Sequence, residues 1–149
     1  MSKTGIDLTK TPPRSPRVRL GGYVLLARMI DKGRATLAGT NGDYHYDCPL
    51  DQQFTKFAGI DAAALKDQLA AGKGDGEILE WIQAHSTAKP SAAQVEAWSA
   101  HQASRSPADL DSIRFFLGVL ESSGPHRKDI ATWFDLLDLD DFASYGGKP

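Results

Sequence analysis

Apolar side chains recur along this chain at intervals of three and four residues, the spacing of one face of a helix. After the breaker Gly21-Gly22, Tyr23, Leu26, Ala27, Ile30 and Leu37 fall on one such face, which Val24, Leu25 and Met29 widen. That breadth predicts a helix at the centre of the core, ended by Gly39, Asn41 and Gly42. Pro49 suits the first position of a second helix, with Leu50, Phe54 and Phe57 on one side and Gly59 as its stop. Asp61 can cap a third, in which Leu65 and Leu69 stand one turn apart. Beyond the flexible GKGDG (72–76), a stripe of Ile78, Trp81, Ile82 and His85 predicts a fourth. Ser91 with Gln94 makes a capping-box pattern ahead of Val95 and Trp98. Ser106-Pro107 with Asp109 opens the next helix. There Leu110, Ile113, Leu117 and Leu120 are expected to be buried, and Phe115, Phe116 and Val119 extend burial to other sides. Ile130, Trp133, Phe134 and Leu137 mark the last. The expectation is an all-α fold: one compact domain of six or seven helices, with at most a small β-hairpin near residues 40–48, where DYHYD alternates.

Outside the helices, residues 1–20 contain Pro12, Pro13 and Pro16 and few large apolar side chains. They predict an extended basic arm packed on a helical body (21–145), with 146–149 as a frayed tail. Charge sharpens this division. Residues 1–34 carry eight Lys and Arg against Asp7 and Asp31, a net of +6, so the remainder of this chain of net charge −2 is −8. Such an arm either folds back onto its acidic body or offers a patch to an anion.

The near-neutral total and a pI of about 6.0 disfavour a general nucleic-acid or membrane-surface binder. A single cysteine excludes an intrachain disulfide and a multi-cysteine zinc site, and suits a reducing cytoplasm. No apolar run is long enough to span a bilayer, and MSKTGIDLTKTPPRSPRVRL lacks the apolar core of a signal peptide. A cytoplasmic location is the expectation.

Four strings stand out: PRSPRVRLGGY (13–23), R-M-I-D-K-x-R-A (28–35), G-x-Y-x-Y-D-C-P-L-D-x-x-F (42–54) and TWFDLLD (132–138). Together they resemble a bacterial family described as domain of unknown function 5069, over nearly the whole chain. The resemblance implies a small, soluble, stand-alone bacterial protein. It carries over no catalytic or binding residue.

Candidate chemistry therefore comes from the residues themselves. Cys48 precedes Pro49 and so lies at a helix N-terminus, where positive potential favours a thiolate. His45, Asp47 and Asp51 are close enough in sequence to complete a nucleophile constellation, although a cysteine of this kind commonly packs as a small hydrophobe. Asp43, His45 and Asp47 alternate as metal ligands on one strand face would, but an inward Tyr44 and Tyr46 with solvated acids explains the same pattern. No metal and no cofactor is expected. The basic cluster is the preferred site. Arg28, Lys32 and Arg34 on the first helix, with Arg14, Arg17 and Arg19 from the arm, present guanidinium forks suited to phosphate or carboxylate. Gly22 leaves backbone N–H groups free before the helix, and Tyr44 and Tyr46 complete the candidate set. Arg34 falls close to the buried face and so requires a partner: Asp31, an acid from another helix, or a bound anion.

The favoured reading is a non-catalytic binding domain for an anionic small molecule (a phosphorylated metabolite or a nucleotide) or an acidic protein surface. The alternatives are a small enzyme using Cys48 with His45 or a neighbouring carboxylate, and a nucleic-acid binder through the basic arm. No membrane partner is expected.

Overall fold

The helix boundaries follow the punctuation in the sequence. A computed structural model describes residues 5–149 and contains seven helices. These are α1 (Leu26–Ala38), α2 (Pro49–Ala58), α3 (Ala62–Ala70), α4 (Asp75–His85), α5 (Ala92–Ser104), α6 (Leu110–Ser123) and α7 (Trp133–Ser144). Asp61 accepts the Ala64 N–H at 2.9 Å, and Asp109 accepts that of Ser112 at 2.8 Å. Ser91 and Gln94 exchange bonds reciprocally, as do Thr132 and Asp135. Each such cap satisfies orphan donors and contributes about 1 kcal/mol. Pro49 stands at the start of α2, where its missing N–H costs nothing.

The protein is one compact all-α domain, and α1 lies at its centre. From Leu26 through Gly33 every residue of α1 is buried. Tyr23, Phe54, Phe57 and Trp98 form an aromatic cluster beside it, with Phe57 stacked on Trp98 at 4.8 Å and Tyr23 edge-on to Phe54 at 5.1 Å. Gly33 lets the neighbours close in. A Cβ there would stand 2.6 Å from Leu69 of α3 and 3.0 Å from the Tyr46 ring.

Several local expectations change. Helix α1 starts at Leu26 rather than Tyr23, because Leu20 and Tyr23 exchange backbone hydrogen bonds across Gly21-Gly22, both at positive φ. Residues 40–48 form turns instead of a hairpin: positive φ at Gly42 and Asp47 interrupts the extended backbone a strand needs. Leu37 and His85 are exposed, His85 lying flat against Trp81 on the outer side of α4. The largest departure is α6, whose only buried side chain is Phe116; Leu110, Ile113 and Leu117 face outward.

The arm lies against the body over its described residues; Met1–Thr4 fall outside them. Leu8 is buried and donates its N–H to the Thr40 carbonyl at 2.8 Å, while the Tyr145 hydroxyl donates to the Leu8 carbonyl. Pro16 receives the Leu25 N–H at 3.0 Å. At the other end, the Gly147 N–H donates to the Phe142 carbonyl at 2.9 Å, turning the chain back on α7.

A centre made of charged residues must be neutralised from outside the helix. Arg28 meets Asp141 of α7 through two parallel bonds of 2.7 and 3.2 Å, and both side chains are buried. Truncating one partner of such a pair strands the other charge. Asp141→Ala should cost about 3–5 kcal/mol in urea unfolding. The double variant Arg28→Met/Asp141→Leu should recover most of that loss.

Candidate functional site

The basic residues singled out by the sequence do not converge on one anion site. They spread over the body, each against an acid. Arg14 reaches both Asp31 (3.0 Å) and Asp75 (2.8 Å), and Arg34 meets the same Asp75 at 3.0 Å while bonding the Lys73 carbonyl. Arg17 binds Asp135 and Asp138 of α7, and Arg19 binds Glu96 of α5. Lys32 is buried against Asp51 at 2.9 Å. Gly22 lines a cleft with Glu96, the partner of Arg19, and its carbonyl accepts the Ser99 hydroxyl at 2.7 Å. Each of these guanidiniums already holds a carboxylate of the protein itself.

The electrostatics agree with this pairing. Burial works against the Arg14 charge, but the bonds to Asp75 and Asp31 outweigh it and raise the guanidinium's pKa. Asp75 shows the converse: burial favours its neutral form, yet Arg14 and Arg34 hold its carboxyl below the ordinary 3.8. Tyr44 donates its hydroxyl to Asp141 at 2.7 Å, with the Arg28 guanidinium 5.5 Å from its ring centre. Burial first, and then that bond to Asp141, raise its pKa, so it serves as a neutral donor. Tyr46 donates to the Ala62 carbonyl at 2.6 Å, and burial raises its pKa as well. Both tyrosines turn inward while Asp43, His45 and Asp47 are exposed. Among the described residues, no group of three or more His, Cys, Asp or Glu is placed to hold a metal ion.

Cys48 and His45 face different spaces. His45 lines a shallow cleft with Tyr44, Asp47 and Lys66, whereas Cys48 lines another between α2, α6 and α7. No hydrogen bond joins the two among the described residues. Instead, the Lys32 ammonium donates to the Cys48 sulfur at 3.2 Å. Asp51, beneath the start of α2, accepts from Lys32 and from the Asp47 and Cys48 N–H groups, so its carboxylate is fully engaged.

The cleft beside Cys48 has a volume of about 400 Å³. Its walls are apolar: Leu50 from α2, Phe115 and Val119 from α6, and Trp133, Leu136 and Leu137 from α7. Its polar groups are few, namely Gln53, Arg105 and Asp140. The Arg105 carbonyl accepts the Trp133 N–H at 3.0 Å, which fixes the α5–α6 connection to the start of α7. Its half-buried guanidinium makes one long bond, 3.3 Å, to the Gln102 amide oxygen, and has no carboxylate partner among the described residues. Asp140 is held by the Ser123 hydroxyl at 2.8 Å.

A family model described as a domain of unknown function (DUF5069) matches residues 10–143. The chain belongs to this family. The match begins in the arm and ends in α7, so it encloses the Arg28–Asp141, Lys32–Asp51 and Arg14–Asp31 pairs and the whole apolar cleft. A comparison with curated proteins found no match.

Sequence reasoning missed Arg105, and assigned Phe115 and Trp133 to core stripes. A signal did exist. Arg105 sits in a Ser-Arg-Ser-Pro connection whose nearest downstream acid, Asp109, is already committed to capping α6.

The shared Asp75 carboxylate makes a pH prediction. Its folded value is depressed, so its stabilisation is fully present above the ordinary 3.8 and disappears as pH falls through the lower folded value. In urea titrations, the stability gap between wild type and Asp75→Asn should be largest at neutral pH. It should narrow progressively below about pH 4.

Proposed function

We propose that this protein is a non-catalytic binding domain whose ligand is a small amphipathic anion seated in the cleft between α2, α6 and α7. The observation that carries the reading is Arg105. Its guanidinium borders an apolar cleft without an acidic partner, while the arm and α1 cations are engaged by the protein's own carboxylates. The volume is that of an ordinary small-molecule site, and a few polar groups on apolar walls are what orients such a ligand. The anionic head would bond Arg105, the body would lie on Leu50, Trp133 and Leu137, and a ligand hydroxyl or N–H could reach Asp140. The setting we infer is the reducing bacterial cytoplasm, on the strength of the single thiol and the family resemblance.

A small enzyme acting through Cys48 is the second reading. It is favoured by one contact: the Lys32 ammonium 3.2 Å from a sulfur that borders the same cleft at the start of α2. Under this reading Lys32, rather than His45, would attend the thiol.

Binding can be followed with 8-anilinonaphthalene-1-sulfonate, an apolar aromatic body with an anionic head. Its fluorescence should rise on binding, and decanoate should displace it much better than decanol. Arg105→Gln should weaken decanoate roughly tenfold or more, as expected for losing a charged hydrogen bond, with little change in melting temperature. Cys48→Ser should leave that affinity intact. Equal competition by decanoate and decanol, or an unaffected Arg105→Gln, would remove the anionic part of the proposal.

A further inference from the structure

Helix α6 packs on α7 along one side and leaves an unusually apolar exterior. Leu110 is 61% exposed, Ile113 38% and Leu117 55%, one stripe at i, i+3 and i+7, whereas Phe115, 65% exposed, projects from the other flank. The stripe amounts to roughly 300 Å² of surface on one helix, the low end of the range for the largest patch on a typical monomer. Between Leu117 and the Phe115 side lies Gly118, in mid-helix. A Cβ at Gly118 would touch nothing within 4 Å, so no contact inside the chain explains a residue that weakens the helix relative to alanine. Glycine on an exposed helix face allows another backbone to approach closely.

The charges around Gly118 narrow what that other backbone is. Arg114 lies one turn before it and Glu121 nearly one turn after it, both exposed and neither paired among the described residues. A two-fold axis passing beside Gly118 sets two copies of α6 antiparallel. Arg114 of each copy then comes opposite Glu121 of the other, and the two Leu117 side chains meet near the axis. The same surface is thus complementary to itself in both shape and charge.

We propose that α6 is a self-association surface that packs antiparallel against α6 of a second copy of this chain, with the helices crossing at Gly118. The apolar area is well under half of the roughly 800 Å² per partner in a standard interface, so the dimer is weak and dependent on concentration. The self-association itself does not depend on the ligand reading.

Sedimentation equilibrium of the full chain over a wide concentration range tests this. The wild type should show a reversible monomer–dimer equilibrium. Gly118→Gln, which places a bulky polar side chain at the crossing, should raise the dissociation constant about tenfold or more. Its melting temperature, measured where the chain is monomeric, should not fall. Arg114→Glu and Glu121→Arg should each weaken association, and the double variant should restore it. A wild type that stays monomeric throughout, a Gly118→Gln variant that associates normally, or a charge-swapped double variant no better than either single would each overturn the proposal.

Discussion

The architecture depends on neutralising charge on a helix whose first two turns are buried on every side. Helix α1 carries Arg28, Asp31, Lys32 and Arg34 through the middle of the protein, and each meets a partner from a different element. Asp141 brings in α7, Arg14 the arm, Asp51 the start of α2 and Asp75 the start of α4. Apolar contacts around Phe54 and Leu65 supply most of the burial, yet they would tolerate some sliding and rotation. Ion pairs with fixed forks do not. A buried pair contributes little net stability compared with apolar residues of the same shape, but a wrong pairing leaves a charge stranded. In this protein the charges specify where each surrounding element sits on α1.

That constraint also shapes what is left for binding. The arginines and Lys32 of the N-terminal segment are drawn inward or laid along the acidic faces of α5 and α7, so among the described residues this basic segment keeps its guanidiniums on the protein's own carboxylates. The concave surface between α2, α6 and α7 is apolar instead, and its one cation comes from the α5–α6 connection. Cys48 belongs to this surface through its position before Pro49, while His45 points away from it into a separate cleft.

Local structure was legible from the sequence because its causes are local. Asp61, Ser91 and Asp109 cap the helices they precede, Pro49 opens α2, and Tyr44 and Tyr46 face in while Asp43, His45 and Asp47 face out. The need for a partner at Arg34 was legible too, since a guanidinium near a buried face cannot go unanswered. The partner's identity was not. Asp75 is 41 residues away, and Asp141 is 113 residues from Arg28; no periodicity encodes such pairings. Asp31, the near candidate for Arg34, is taken by Arg14. Helix α6 misled for a different reason. Its repeat of Leu110, Ile113 and Leu117 has the spacing of a core stripe, and spacing alone does not distinguish a face covered by the same chain from one left open. Arg105 was hinted at only by its neighbour Asp109 being committed to a cap; that it borders an apolar cleft is a property of the tertiary surroundings.

The Arg28–Asp141 pair also bears on how the chain matures during synthesis. Arg28 leaves the ribosome 113 residues before Asp141, in the helix around which the core is built. The acids that hold Arg17, Asp135 and Asp138, are equally late. Until α7 emerges, α1 cannot be enclosed without leaving a cation unanswered, and the arm lacks much of its binding surface. Domains commonly fold in the order they are translated, but here α1 waits for α7. The nascent chain therefore keeps α1, the most deeply buried helix of the folded protein, accessible to chaperones until α7 has been made.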